Sequence, residues 1–279
     1  MSLSEIFTNP FICKIVMRAL IVGVLVSLSA ALLGVGLVLK RFSMIGDGLS
    51  HVGFLAVAIP TVFASLVNFS LEISLIIVVL ASFLIMRISQ STKINGDSAI
   101  ALISTSAVAI GVIIFDFTTG MTTDICNNMF GSSSVLTLTD KDLYISIALS
   151  LICIGTFVFL YNKIFCYTFD ESFAASQGIK IKRCQAAVSL MISVTIVIGM
   201  RLLGAIMISA LTIFPALTAM MLCKTYKSAV VSSAIISVIC FVIGFFAACM
   251  LSLQTGPAVI IVNLLAFAAS VIIKKLKRA

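Results

Sequence analysis

The chain has no Trp, one His and only 10 acidic side chains in 279 residues. Charged residues of both signs make up 10%, where an average soluble domain carries about 25%. So few charges cannot solvate the surface of a soluble enzyme or keep a disordered chain in water. None of the eight Cys forms a C-x-x-C pair, which removes the zinc knuckle and the dithiol redox motif. The thiols are scattered through apolar runs and read as small buried hydrophobes, not as a secreted disulfide scaffold. There is no G-x-x-x-x-G-K-[ST] loop, no H-E-x-x-H and no G-x-S-x-G. The chain therefore reads as a pathway without a reaction centre, with no ATPase of its own and no permanently bound cofactor. The first residues, with Glu5 and Pro10 before a long apolar run, do not resemble a cleaved signal peptide.

Hydrophobic residues, by contrast, reach 61%, and mean hydropathy is +1.28. The apolar runs are continuous, not alternating, which disfavours a membrane β-barrel. One bilayer crossing takes about 20 apolar residues, so the length suits about nine crossings. The expected fold is all-α: a single polytopic bundle over 1–279 with eight to nine spans. These fall near 15–39, 48–67, 70–88, 98–118, 143–162, 184–200, 202–222, 228–251 and 255–273. The formal charge of +8 sits in short clusters between spans. That pattern fits the bias of basic residues toward the cytoplasmic side and gives no reason to expect nucleic acid. With nine crossings all but four of the 18 basic residues (Lys14, Arg18, Lys141 and Arg201) share one face, which places the carboxyl terminus in the cytoplasm. A very short junction is expected at Gly199–Met200–Arg201. Residues 119–142 then form a polar external loop. Residues 166–183 form an internal segment that reads either as a short helix, with Asp170 and Glu171 in its first turn and Gly178 as its stop, or as a plain connection.

Polar residues inside spans are costly and mark candidate functional positions. Asp47 and His51, the only histidine, stand four residues apart and so share one face of a helix. A carboxylate and an imidazole suit Zn²⁺, Mn²⁺ or Fe²⁺. The same pair also reads as a hydrogen-bonded brace at a helix start. Two ligands do not complete a metal shell, so a second copy of the chain or another span has to add the rest. Asp116, at the outer end of the fourth span, reads as a hydrated residue. Pro60 and Pro215 lie in spans where transporters often bend. Met191, Met200, Met207, Met220 and Met221 read as packing or lipid-facing residues, not as soft-metal ligands.

Four stretches together resemble one family, the integral-membrane permeases of metal-ion ABC importers (ABC-3 type), which take up zinc, manganese or iron(II) in bacteria. The first is LKRFSMIGDGLSHVGFLAVAI at 39–59, similar to the family's Gly-Asp-x-x-(Ser/Ala)-His signature. The second is Asp124 followed by Met129-Phe130-Gly131. The third is FDESFAASQGI at 169–179, and the fourth is GMRLLGAIMISALTIFPALTAMML at 199–222. Gly48, Phe54, Ala56 and Phe214 depart from the usual family residues, while Asp47 and His51 are intact. The resemblance implies a membrane assembly of two permease copies and two cytosolic ABC ATPase subunits in the bacterial cytoplasmic membrane, supplied by an extracytoplasmic metal-binding protein. It also implies that 169–179 is the coupling helix, with Asp170, Glu171, Ala174 and Gly178 in the matching positions, and that Asp47 and His51 line the metal path.

Other readings stay open. A permease for a siderophore or corrinoid has the same general architecture but no need of an Asp–His pair. A self-contained channel needs no coupling helix, and a membrane enzyme needs more titratable groups than one His and one clear Asp. MISALTIFPALTA (207–219) reads closer to the zinc members, and the residue types by themselves admit zinc and manganese alike.

Overall fold

The computed structural model describes residues 10–62, 70–91, 96–118, 140–251 and 253–276. Within them the chain is helical throughout: α1 (Pro10–Leu39), α2 (Ile45–Val62), α3 (Ser70–Ser91), α4 (Gly96–Thr118), α5 (Asp140–Phe169), α6 (Glu171–Ser176), α7 (Ile181–Leu203), α8 (Ala205–Leu222), α9 (Tyr226–Leu251) and α10 (Thr255–Leu276). Among the described residues, the nine helices other than α6 correspond one to one with the spans read from the sequence. Seven have the length and apolarity to cross a membrane. In α2 and α3 the apolar stretches are shorter, Ile45–Pro60 and Glu72–Ile85.

α1, α7 and α8 are the central pillars. The apolar window of α7 is 72% buried, against 22% for α5 at the rim. The rim helices present Leu102, Ile113, Phe117, Phe159, Ile261 and Leu265 outward, a belt that suits hydrocarbon and not water. α2 lies between α3 and α4 and also touches α7 and α8. It runs parallel to α4: Gly48 meets Ile100 near their starts, and Phe54 sits 5.2 Å from Phe115 further along.

Small residues let the pillars approach closely, and serines tie them together. A Cβ on Gly34 would stand 2.0 Å from the Thr212 carbonyl oxygen, so α1 and α8 cross backbone to backbone there. Ser237 donates to the Ser27 carbonyl and Ser233 to that of Ala31, joining α9 to α1. Between α3 and α7, Ser193 donates to the Ser82 hydroxyl at 2.8 Å, and the Ser82 and Ser189 hydroxyls share a hydrogen bond at 2.6 Å. Met191, Met200 and Met207 are buried in the core, which assigns these three to packing.

Several ends lie a few residues from expectation, and two of the differences are informative. Residues 199–201, expected as a junction, are continuous helix, and the chain breaks instead at Gly204, with φ 93 and ψ 154. That conformation is essentially restricted to glycine, whereas Gly199 is filled over by Ile208 and has no need to turn. The fifth helix also runs to Phe169, seven residues beyond the expected end at 162. Pro60 stands two residues before the end of α2, so its effect falls on that terminus, while Pro215 is buried inside α8.

Candidate metal-path site and docking helix

α1 gives way to α2 through a tight reversal. Arg41 takes φ +60, unusual for a residue with a Cβ, and Phe42 N–H donates back to Leu37 at 3.0 Å. The Phe42 carbonyl accepts from Ile45 N–H, and α2 begins. Asp47 therefore lies in the first turn of α2, where the positive helix end favours a carboxylate. On either side, two glycines let neighbours close in: Gly46 against Thr212 of α8 and Gly48 against Ile100 of α4.

His51 Nε2 stands 3.6 Å from Asp47 Oδ2. This exceeds the 2.7–3.2 Å of an N–H···O hydrogen bond, so the pair faces one space without closing on itself. Donors bound at about 2.1 Å on a tetrahedral cation stand about 3.4 Å apart, which the observed separation nearly matches. The Asp47 side chain is 42% exposed and that of His51 19%, so the pair opens to the outside of the chain. His51 Nδ1 is buried with no hydrogen-bond partner among the described residues. Nε2 is thus the ring nitrogen that faces Asp47 and could hold a cation. No group of three or more His, Cys, Asp or Glu gathers among the described residues, which here offer two donors from that set. Asp116 is exposed, 16 residues beyond Ile100 on α4 and about 24 Å further along it by helical rise. The structure does not bring it to the pair. Asp124 and Met129–Gly131 lie outside the described residues.

At the end of α5 the internal segment folds as α6, shorter than the 169–179 expected. Asp170 is its N-cap rather than a first-turn residue: Oδ1 accepts from Ser172 N–H (2.9 Å), the Ser172 hydroxyl (2.6 Å) and Phe173 N–H (3.1 Å). These donors, led by the Ser172 hydroxyl, hold its carboxyl below the usual carboxylate range. Gly178, at φ +75, closes the helix with a return bond from Ile179 N–H to the Ala174 carbonyl. Ala174 is fully buried against the chain itself, which leaves Ser172, Phe173 and Ser176 on the outward face. Phe173, half exposed on that face, is a residue the sequence did not single out. Lys40, by sequence one more basic residue at the end of a span, has its Nζ against Glu171 and over the Tyr167 ring. No sequence signal links these residues, because 131 positions separate Lys40 from Glu171.

The model of the ABC 3 transport family matches residues 13–274. The chain belongs to that family. Among curated relatives it is similar to the high-affinity zinc uptake system membrane protein ZnuB of Haemophilus influenzae, with 28% identity over 257 residues, 92% of this chain and 97% of that one. It is also similar to the manganese transport system membrane protein MntC of Halalkalibacterium halodurans, with 25% identity over 252 residues, 90% of this chain and 84% of the other. Among solved structures, PsaBC from Streptococcus pneumoniae in complex with Fab superimposes with a TM-score of 0.81 at 23% identity, covering 96% of this chain and 93% of that one, which establishes the shared fold. Family membership agrees with the resemblance drawn from the four sequence stretches, and this permease is a multi-helix membrane protein of an ABC transporter.

Proposed function

We propose that this permease conducts a divalent metal cation, zinc or manganese, into the bacterial cytoplasm, driven by a separate cytosolic ABC ATPase. The observation that carries the reading is the open Asp47–His51 pair: a carboxylate oxygen and an imidazole nitrogen 3.6 Å apart, partly exposed and unclosed. A siderophore or corrinoid is bulky and already chelated, and gains nothing from two bare metal donors. The names of ZnuB and MntC point to the same two metals.

In this reading α2 and α3 complete a nine-span topology, with the basic helix ends and carboxyl terminus on the cytoplasmic side. Asp47 and His51 supply half of the donors. A second copy of the chain, related by an axis along the bilayer normal, supplies the other half. Two carboxylates and two imidazoles suit a relay that holds the ion weakly enough to release it. α6 docks on the ATPase through its outward face, with Asp170 and Gly178 fixing its ends and Ala174 anchoring it to the bundle. An extracytoplasmic metal-binding protein delivers the ion on the opposite side.

The test is uptake of isotopically tagged Zn²⁺, Mn²⁺ and Fe²⁺ by cells with and without the intact permease gene. The reading expects permease-dependent entry of Zn²⁺ or Mn²⁺. Permease-dependent entry of an iron–siderophore or corrinoid alone contradicts it.

A further inference from the structure

We propose that Lys40, Tyr167 and Glu171 form a strut that ties the docking helix α6 to the turn that launches α2, and so positions the Asp47–His51 pair. The inference deepens the function just proposed and rests on it for the identity of cargo and ATPase.

α6 is covalently continuous with α5 through Asp170, and it also touches α7. Neither helix leads along the chain to Asp47. α7 packs against both α6 and α2, and the strut adds a direct tie from α6 to the turn before α2. Lys40 is the first residue beyond α1, and its Nζ bonds Glu171 Oε1 at 2.5 Å. The same ammonium lies 4.2 Å from the centroid of the Tyr167 ring, in the last turn of α5. Tyr167 is 4% exposed, so the ring is a fixed platform and not a surface flap. A cation held over an aromatic face and paired with a carboxylate gains from both at once, and partial burial strengthens each.

From Lys40 the path to the metal pair is short and hydrogen-bonded. Arg41 follows at φ +60, Phe42 N–H is tied to Leu37, Ile45 N–H to Phe42 and Gly48 N–H to Met44. A turn held this way moves as a unit, so displacement of Lys40 carries to the first turn of α2, where Asp47 stands. Beneath the strut lies a small apolar cavity lined by Leu33, Leu37, Phe42 and Tyr167. Lys40 and Glu171 are thus positioning residues, acting on the pair through the backbone.

The first arm of the test uses the full chain alone in lipid nanodiscs. Native Cys are replaced, and Met44→Cys, half exposed in the turn, serves as the probe. Lys40→Met and Glu171→Gln each change the maleimide reaction rate at position 44 by at least about fivefold, the size of an ordinary coupling between sites, while Lys40→Arg leaves it near the parent rate. Equal rates in all variants overturn the strut. The second arm uses the permease assembled with its ATPase in proteoliposomes. Lys40→Met keeps ATPase co-purification and hydrolysis, but metal uptake per ATP falls at least about fivefold, and Lys40→Arg restores it. Undiminished uptake per ATP in Lys40→Met, alongside an importing wild type, also overturns the strut. A wild type that retains no ATPase and imports no metal contradicts the proposed function instead, and the first arm still decides the strut.

Discussion

Two side-chain pairs flank the turn between α1 and α2, with Lys40 before it and Asp47 after it, and they are built in opposite ways. Lys40 and Glu171 come from positions 131 apart and close to hydrogen-bonding distance over an aromatic ring. Asp47 and His51 are neighbours on one helix turn, where an approach would be easy, yet they stop at 3.6 Å. The long-range pair is satisfied within the chain, and the local pair is not. Closure suits a strut, because each partner neutralises the other. An open pair keeps its lone pairs for something else, and a carboxylate with an imidazole has a short list of suitable guests, headed by divalent metals.

The sharpest way to break the contrast is to remove the open pair. Asp47→Ala and His51→Ala each should abolish growth that depends on scarce metal, with membrane abundance unchanged by immunoblot. Asp116→Asn should grow nearly as the parent, since the residue is exposed and remote from the pair. At the closed end, Phe173→Arg should lower the ATPase recovered with the permease by about tenfold, as expected for loss of a central aromatic contact. Ala174→Arg is the wrong probe for docking, because Ala174 faces the bundle, and its first effect should be a lower melting temperature of the permease alone.

Smaller effects test the frame around both pairs. Gly34→Ala forces a methyl into the Thr212 carbonyl and should cost about 1–3 kcal/mol in thermal unfolding of the detergent-solubilised chain. Ser189→Ala removes one arm of the buried serine cluster and should cost only ~0.6 kcal/mol in the same assay, the average for hydrogen bonds between membrane helices. Smallest of all is the response to acid. Asp170 has a folded pKa below its ordinary 3.8, so its cap stabilises α6 above that value and fades only as pH falls through the depressed one. ATPase co-purification should therefore stay flat from about pH 8 to about pH 5 as far as this cap is concerned. The Asp170→Asn permease, still able to cap, should show the same flat profile, while Asp170→Ala should bind less at every pH.

Much of the bundle is legible in the sequence, because a 20-residue apolar run leaves the backbone few options but helix. The Asp47–His51 face is legible for a similar reason, since i,i+4 spacing fixes it. What escapes is whatever depends on tertiary distance. The i,i+4 spacing says that the pair shares a face but not that it stays open. Arg201 looks like a natural break, yet the helix continues to Gly204, where the backbone needs a conformation only glycine takes. Ala174 suits an external groove and the internal bundle equally well by size, and only packing shows it inward. Lys40 reads as one more basic residue at a span end until the fold brings Glu171 and Tyr167 to it.

The measurement that bears most directly on the open pair is metal uptake per assembled transporter, with Zn²⁺ and Mn²⁺ offered separately to proteoliposomes containing permease and ATPase. Asp47→Asn and His51→Gln keep shape and polarity but weaken the donor set. The account predicts that each loses at least about tenfold of the uptake, while ATPase co-purification stays at the wild-type level. Wild-type uptake by both variants would reduce the pair to a brace at the start of α2 and contradict its place in the metal path.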